Sequence, residues 1–366
     1  LRWVLDRYLI REITKPVVVV CFVLAFIFAG YKAADYLNDA VSGLLSKDTV
    51  LLLILLKLAI AMEVLLPSTL FLSVVFTLGR LHRDSEILAL HAAGISGLRI
   101  TRSVLCLALV VAALSAALSL FVRPWAYQKG YQLKSEAKAE FDLGRMESAT
   151  FYQIGEQHRV FFAERIDQKR RRAENVFIYS EVDSSIRVIW AKEARQEEDP
   201  ATGRKFILFM DGYLYEFSIG QEGGRVIRFS RSTASLWPED TTPENKITAE
   251  PTEQLAAAHS PEALAELQWR ISTPISALLL ALLGVFLSRT SHRQGKYDKV
   301  VMAIAIYAAY YNLVVVAKTW VEQGRLGAMP GIFWVQGILA LVVSGLLLRE
   351  VVPQWRHRKG DRHEDY

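Results

Sequence analysis

The chain has 366 residues, is 52% hydrophobic and carries a formal net charge of +5. Its apolar residues gather near the two ends, while the middle reads as an ordinary soluble domain, so the composition argues for a membrane protein rather than a soluble enzyme. Two cysteines, Cys21 and Cys106, both in apolar runs, supply neither a disulfide framework nor a metal cluster.

The first residues, Leu1 to Lys15, mix Arg2, Arg7, Arg11 and Lys15 with Asp6 and Glu12. The segment is amphipathic and lacks the small-residue cleavage site of a signal peptide. Pro16 opens an apolar run to about Leu37, long enough for the roughly 20 residues a span needs. A polar loop around Asn38 to Thr49 leads to a second run, Val50 to Leu78, which exceeds one span and so predicts tilt. Arg80 to Ser96 is charged at its front and apolar behind. Asp84 or Ser85 is placed to cap a short amphipathic helix, with Glu86 in its first turn. Ile87, Leu88, His91 and Ile95 recur at helical spacing, and Gly94 suits its C-terminal end. A third run, about Ile100 to Val122, stops at Arg123-Pro124.

Between Trp125 and about Gln268 the character changes. A mixed-charge helical piece, Tyr131 to Met146, precedes segments rich in aromatic and β-branched residues, beginning at Arg159, Val176, Arg187, Lys205, Tyr213 and Arg225. Turn signals such as Ala201-Thr-Gly203 and Gly223-Gly224 divide them, which predicts a β-sandwich or jelly roll. Ser260-Pro begins a helix feeding a fourth run, Ile271 to Leu287; a fifth follows at Val300 to Lys318 and a sixth at Ile332 to Leu348. The expected fold is therefore a membrane α-helical protein of six transmembrane helices with an inserted β-jelly-roll-like domain. Residues 1–124 form one transmembrane half, 125–268 the β-domain and 269–366 the second half.

Six spans place both termini on one side. That side carries Arg2, Arg7, Arg11 and Lys15, then Arg80, Arg83, Arg99 and Arg102, then Arg289, Arg293, Lys296 and Lys299, and finally Arg349, Arg356, Arg358, Lys359 and Arg362. The short loops opposite hold Lys47 and Arg325. Lysine and arginine excess marks the cytoplasmic side, so the termini and the short helix are expected there and the β-domain in the periplasm.

No phosphate-cradling Gly-x-x-x-x-Gly-Lys motif is present, and His158 and His259 are isolated, so the chain is not expected to hydrolyse ATP or to be an enzyme. The polar residues within the spans carry more information, because ionisable groups there are costly and face a bundle interior or a cavity. Lys32 and Asp35 either form an intrahelical pair that snorkels to the interface or present a cation to an anionic headgroup. Arg123 and Lys318, at span ends, pose the same choice between interface anchor and headgroup contact. Glu63 is nearer mid-membrane and needs a partner; Lys57, six residues away, is not on its face. Tyr307, Tyr310 and Tyr311 either pack the bundle or form a wall for acyl chains.

The stretch Leu66 to Ser96, with Arg83-Asp-Ser-Glu86 at its centre, closely resembles the signature of the lipopolysaccharide export permeases, the LptF/LptG family. Ala265 to Ser272 and Arg289 to Tyr297 are similar as well, and the likeness extends over essentially the whole chain. Leu70-Phe-Leu, Thr77-Leu-Gly79 and Glu266-Leu-Gln-Trp-Arg270 look more like the F-type subunit than the G-type. The resemblance implies a Gram-negative inner-membrane permease subunit that pairs with a G-type paralogue and sits on a dimeric LptB-type ATPase. It also implies an LptC-type membrane-anchored partner and an LptA-type periplasmic bridge. The cargo would be lipopolysaccharide, not nucleic acid. ATP and magnesium would belong to the ATPase, and this chain would hold no cofactor of its own. The helix at about 84–95 would be the coupling helix, with Arg83, Asp84, Glu86 and His91 facing the ATPase. Lys32, Asp35, Glu63, Arg123, Tyr307, Tyr311 and Lys318 would be the candidates for lipid contact. Two other readings fit the spans: a permease that drives a periplasmic partner without moving lipid, and a membrane scaffold with no ATPase.

Overall fold

The computed structural model describes residues 2–41, 47–139, 146–154, 159–182, 185–198, 205–218, 224–234, 247–258, 260–289 and 298–360. His158, His259, the turn at 201–203 and the loop at 290–297 lie outside them. Among the described residues, five helices are long and apolar enough to cross a membrane, and the last helix has a shorter apolar part, Phe333–Arg349. A six-stranded antiparallel sheet is inserted after the third of them. The architecture is that of a helical membrane protein with an inserted β-domain.

The helices are α1 (Arg2–Val41), α2 (Lys47–Arg83), the short α3 (Glu86–Ala92) and α4 (Gly97–Ala117). After a π-helical turn at Leu118–Val122 come α5 (Arg123–Ala139) and, beyond the sheet, α6 (Thr252–Ala257), α7 (Pro261–Leu287), α8 (Asp298–Glu322) and α9 (Phe333–Gly360). Two boundaries differ from the sequence expectation. The amphipathic start and the first span form one unbroken helix, with Pro16 inside it. The third span does not stop at Arg123-Pro124 but continues through the π turn into α5. Pro124 has no N–H, and the carbonyl of Leu120, four residues earlier, accepts a hydrogen bond of 2.8 Å from the Thr252 hydroxyl instead.

The chain separates into two compact units, residues 1–29, 56–128 and 243–366 in one and residues 30–55 and 129–242 in the other. In the first, α7 is the central element: 56% of its most apolar stretch is buried, against 11% for α1. One face of α7 joins Leu9, Ile13, Leu70, Leu78, Ile87 and Val104 in a core formed with α1 to α4. Its other face packs with Val75, Tyr310, Val314, Val321 and Val335. Gly284 is what lets α2 approach, since a Cβ there would lie 3.1 Å from Val74 Cγ1 and 3.3 Å from the Phe71 ring.

In the second unit, β1 (Thr150–Ile154), β2 (Arg159–Asp167), β3 (Arg172–Val182), β4 (Ser185–Glu198), β5 (Lys205–Ser218) and β6 (Gly224–Ala234) pair strictly in sequence order. Among the described residues the β-domain is thus one antiparallel meander linked by hairpins, without the crossovers of a Greek key. The segments expected separately at Lys205 and Tyr213 are a single strand, β5. The registers align Glu164, Asn175, Lys192, Asp211 and Ser230 in one row, with no pairing recorded along it. Asn175 and Asp211 in that row adopt φ of 49°, a left-handed conformation that Asn and Asp tolerate.

At this row the inward face slips by one residue. On β3 the buried residues are Ile178 and Val176 on one side and Ala173 on the other; on β5 they are Phe209 and Ile207 on one side, with Gly212 on the other. Each strand accommodates one extra residue at the same level, so the ladder keeps register while the core-facing alternation changes phase. Gly212 adjoins this row, and a Cβ there would lie 2.5 Å from the Phe229 ring and closer still to the Trp190 carbonyl. Gly212→Ala is expected to cost about 1–3 kcal/mol of domain stability through overpacking, read as a lower melting temperature of the β-signal in circular dichroism of the intact chain.

Candidate functional site

Two arrangements of polar residues organise the helical unit. The first is a buried ion cluster. Glu63 comes from the middle of α2, Arg123 follows the π turn, Glu266 and Arg270 lie one turn apart near the start of α7, and Lys318 lies on α8. The Arg123 guanidinium reaches Glu63 Oε2 at 2.9 Å through Nη1, and both oxygens of Glu266 at 2.7 and 3.2 Å through Nε and Nη2. The second oxygen of Glu63 accepts hydrogen bonds from Ser119 (2.9 Å), Trp269 Nε1 (3.1 Å) and Thr273 (3.1 Å). Ser119 is the buried residue of the π turn, which sits where the helix must present both a hydroxyl and Arg123 to one carboxylate.

Arg270 has no exposed surface. Its Nε donates to Glu266 at 3.1 Å, and its other nitrogens donate to the Thr248 and Glu250 carbonyls at 3.0 Å and to the Thr252 hydroxyl at 2.9 Å. Lys318 Nζ lies 3.6 Å from Glu266 and 3.0 Å from Glu322, and 5.4 Å from the centre of the Trp269 ring. Three carboxylates (Glu63, Glu266, Glu322) thus balance three cations (Arg123, Arg270, Lys318). In such a low-dielectric setting a paired and hydrogen-bonded cluster is tolerated, whereas a lone charge is not.

Beside the cluster, Tyr307, Tyr310 and Tyr311 border a cavity of about 30 Å³ with Val64, Pro67, Ser272, Thr273 and Ser276. The Tyr310 and Ser276 hydroxyls are hydrogen-bonded, Tyr307 and Tyr311 stack at 6.1 Å, and Trp269 meets Tyr311 edge-on at 6.1 Å. Away from this cluster, Lys32 pairs with Asp35 at 2.8 Å on α1 and its ammonium lies 4.7 Å from the Tyr31 ring centre.

The second arrangement surrounds α3. The expected capping by Asp84 or Ser85 does not occur: Ser85 takes φ of 58° and makes no side-chain cap, because the tight turn out of α2 uses its backbone instead. The C-terminal end behaves as the sequence suggests. Gly94 has φ of 80° and donates to the His91 carbonyl, and Ile95 donates to the Leu90 carbonyl, which is a Schellman motif. The predicted stripe divides: Ile87 is buried in the core, while Leu88 and His91 are exposed together with Arg83 and Asp84. Glu86 is half-buried, and its Oε2 accepts a hydrogen bond of 2.8 Å from the Tyr8 hydroxyl.

The structure therefore unites Glu63, Arg123 and Lys318 in one buried cluster, sets Tyr307 and Tyr311 against it, and leaves Lys32 and Asp35 on α1. Glu266, Trp269 and Arg270, which the sequence marks only through the F-type resemblance, are as central to the cluster as Glu63 and Arg123. The available signal was the i,i+4 pairing of Glu266 and Arg270 at the entry to an apolar run, two opposite charges on the same helix face.

Taken together, these features define a multi-pass membrane protein whose helices enclose a charge cluster and turn through a short, partly exposed helix at one end. A family model for the lipopolysaccharide export system permease LptF/LptG matches residues 7–349, and the chain belongs to this family. It is 26% identical to the lipopolysaccharide export system permease protein LptF of Escherichia coli strain K12 over 367 residues, covering 97% of each chain, and equally similar to LptF of Shigella flexneri.

Replacing Arg123 with Met is expected to destabilise the helical unit by about 3–5 kcal/mol, because Glu63 and Glu266 would both lose the guanidinium that joins them. Arg123→Lys should recover only part of this, since an ammonium cannot reproduce the three-atom fork. Thermal unfolding of the detergent-solubilised protein reads both.

Proposed function

We propose that this chain is the F-type permease subunit of an ATP-driven lipopolysaccharide exporter in a Gram-negative inner membrane. The observation that carries the reading is α3: a short helix between two membrane spans that bears Glu86 and the exposed Leu88 and His91, preceded by the exposed Arg83 and Asp84 at the turn out of α2, in a chain of the LptF/LptG family. The positive charge at this end supports placing it in the cytoplasm. There α3 docks in a groove of a dimeric LptB-type ATPase, and Glu86 pairs with a cation of that groove. ATP and magnesium are bound by the ATPase and supply the free energy.

The paralogous G-type permease completes the transmembrane cavity, and an LptC-type protein and an LptA-type bridge receive the lipid beyond the β-domain. Nucleotide-driven closure pushes on α3, narrows the cavity as a rigid-body movement and extrudes the lipid. Acyl chains meet the apolar helix faces bordered by Tyr307 and Tyr311. The enclosure of Glu63, Arg123 and Lys318 within their own ion pairs supports a structural role for them. Lys32, half-buried beside Asp35, is the better placed of the cations to face a phosphate.

Co-expression with the G-type and ATPase subunits tests the reading. The wild type is expected to assemble and release lipopolysaccharide on ATP addition, and Glu86→Ala to lose assembly or to cut release at least about tenfold, the loss of about 1.4 kcal/mol or more at the docking contact. Intact release in the Glu86→Ala complex would remove Glu86 from the docking contact, and failure of any ATPase to co-purify with the wild type, with no lipid released, would favour a scaffold instead.

A further inference from the structure

The first four turns of α1 hold three successive elements at once. Asp6 accepts a 2.6 Å hydrogen bond from Ser103 of α4, and Arg99 Nη2 lies 3.8 Å from its other oxygen. Tyr8 donates to Glu86 of α3 at 2.8 Å. Glu12 pairs with Arg80 of α2 at 2.9 Å while also taking Lys15 at 2.8 Å. Between these polar contacts, Leu9 and Ile13, both without exposed surface, join the core that holds Leu78, Leu81, Ile87, Ile100 and Val104. The same helix then runs without interruption to Val41.

This arrangement is more than anchoring. Glu86 is on a seven-residue helix, too short to be stable by itself, and the side chain fixing its carboxylate comes from α1. A force applied to α3 therefore meets α1 directly through the hydrogen bond at Tyr8 and the apolar seam at Ile87, and indirectly through the ion pair of Glu12 with Arg80 on the last turn of α2, from which α3 continues.

We propose that Tyr8 and Glu12 are positioning residues for coupling. Tyr8 orients the Glu86 carboxylate for its partner and passes the displacement of α3 into the first membrane helix, while Glu12 ties that helix to Arg80 at the end of α2, so that α3 and the turn before it move α1 together. The proposal rests on the reading of α3 as the ATPase-docking helix. It assigns the start of α1, which that reading leaves without a role, to the transmission path. A carboxylate that already accepts the phenol retains lone pairs for a cation, so docking adds to the Tyr8 contact rather than replacing it.

The test uses the full complex in detergent or nanodiscs and measures assembly, melting temperature and lipopolysaccharide released per ATP hydrolysed. The variants are Tyr8→Phe, Glu12→Arg, Arg80→Glu, the double swap Glu12→Arg with Arg80→Glu, and Glu86→Ala as reference. Tyr8→Phe keeps the ring and loses only the donor; it is expected to assemble and melt as wild type while lipid released per ATP falls about fivefold. Glu12→Arg is expected to uncouple similarly, and the swap to restore most of the ratio. The proposal fails if Tyr8→Phe and Glu12→Arg export as wild type, if their loss only follows a lower melting temperature, or if the swap restores nothing. Should those outcomes occur while Glu86→Ala still abolishes assembly, the docking role of α3 stands without the lever; if Glu86→Ala is also silent, both fall together.

Discussion

Arg123 lies between Glu63 and Glu266, and the packing of the helical unit depends on that contact. Each of these groups would cost several kcal/mol to bury alone, and the attraction between them offsets the cost only when the geometry is close and the spare lone pairs are filled. Ser119, Trp269 and Thr273 fill those of Glu63, and Arg270 and Lys318 complete the shell of Glu266. The requirement fixes α2, the π turn with the start of α5, α7 and α8 in one relative register, since sliding any of them by a turn would strand a charge among apolar side chains. The π turn lies at this same place: it carries Ser119 and directly precedes Arg123, the two groups that this segment presents to Glu63.

A permease that moves a large amphipathic lipid has to combine rigid bodies with a gate. The ion cluster and the small-residue approach at Gly284 give the inner helices stiffness. α1, with most of its apolar surface exposed and its contacts through Asp6, Tyr8 and Glu12 to α4, α3 and α2 all at its start, is held quite differently. Its outer face, including Val18, Val19, Phe22, Phe26 and Ile27, is left for lipid or another subunit. Movement in such a molecule is expected where few buried contacts resist it, and α1 is the long helix that meets this description at its centre.

The β-domain solves a different problem. A single antiparallel meander needs one apolar face, and here that face changes phase at a row shared by the five strands β2 to β6. Because every strand takes its extra residue at the same level, no hairpin loses register, and the change is absorbed by Asn175 and Asp211, whose side chains tolerate the left-handed backbone. Gly212 makes room beside them for the Phe229 ring, which covers the backbone that a side chain would otherwise have shielded.

By itself the sequence determined what depends on local pattern. Apolar runs of span length, β-branched segments punctuated by glycine and the Gly94 end of α3 all carry their signal within a few residues, because helix and strand periods are local properties. The family signature between Leu66 and Ser96 is local too. The tertiary structure decided what depends on pairing at a distance. Arg123 meets Glu63 across 60 positions and Glu266 across 143, and Tyr8 meets Glu86 across 78. Nothing in the neighbourhood of any of these residues names its partner. The candidates for lipid contact could be recognised as costly charges in apolar spans, but a charge facing a headgroup and a charge buried in an ion pair have the same local sequence. Only the packing of α2, the continuous helix of α4 and α5, α7 and α8, fixed by apolar faces that match in three dimensions, separates Lys32 from Glu63, Arg123 and Lys318.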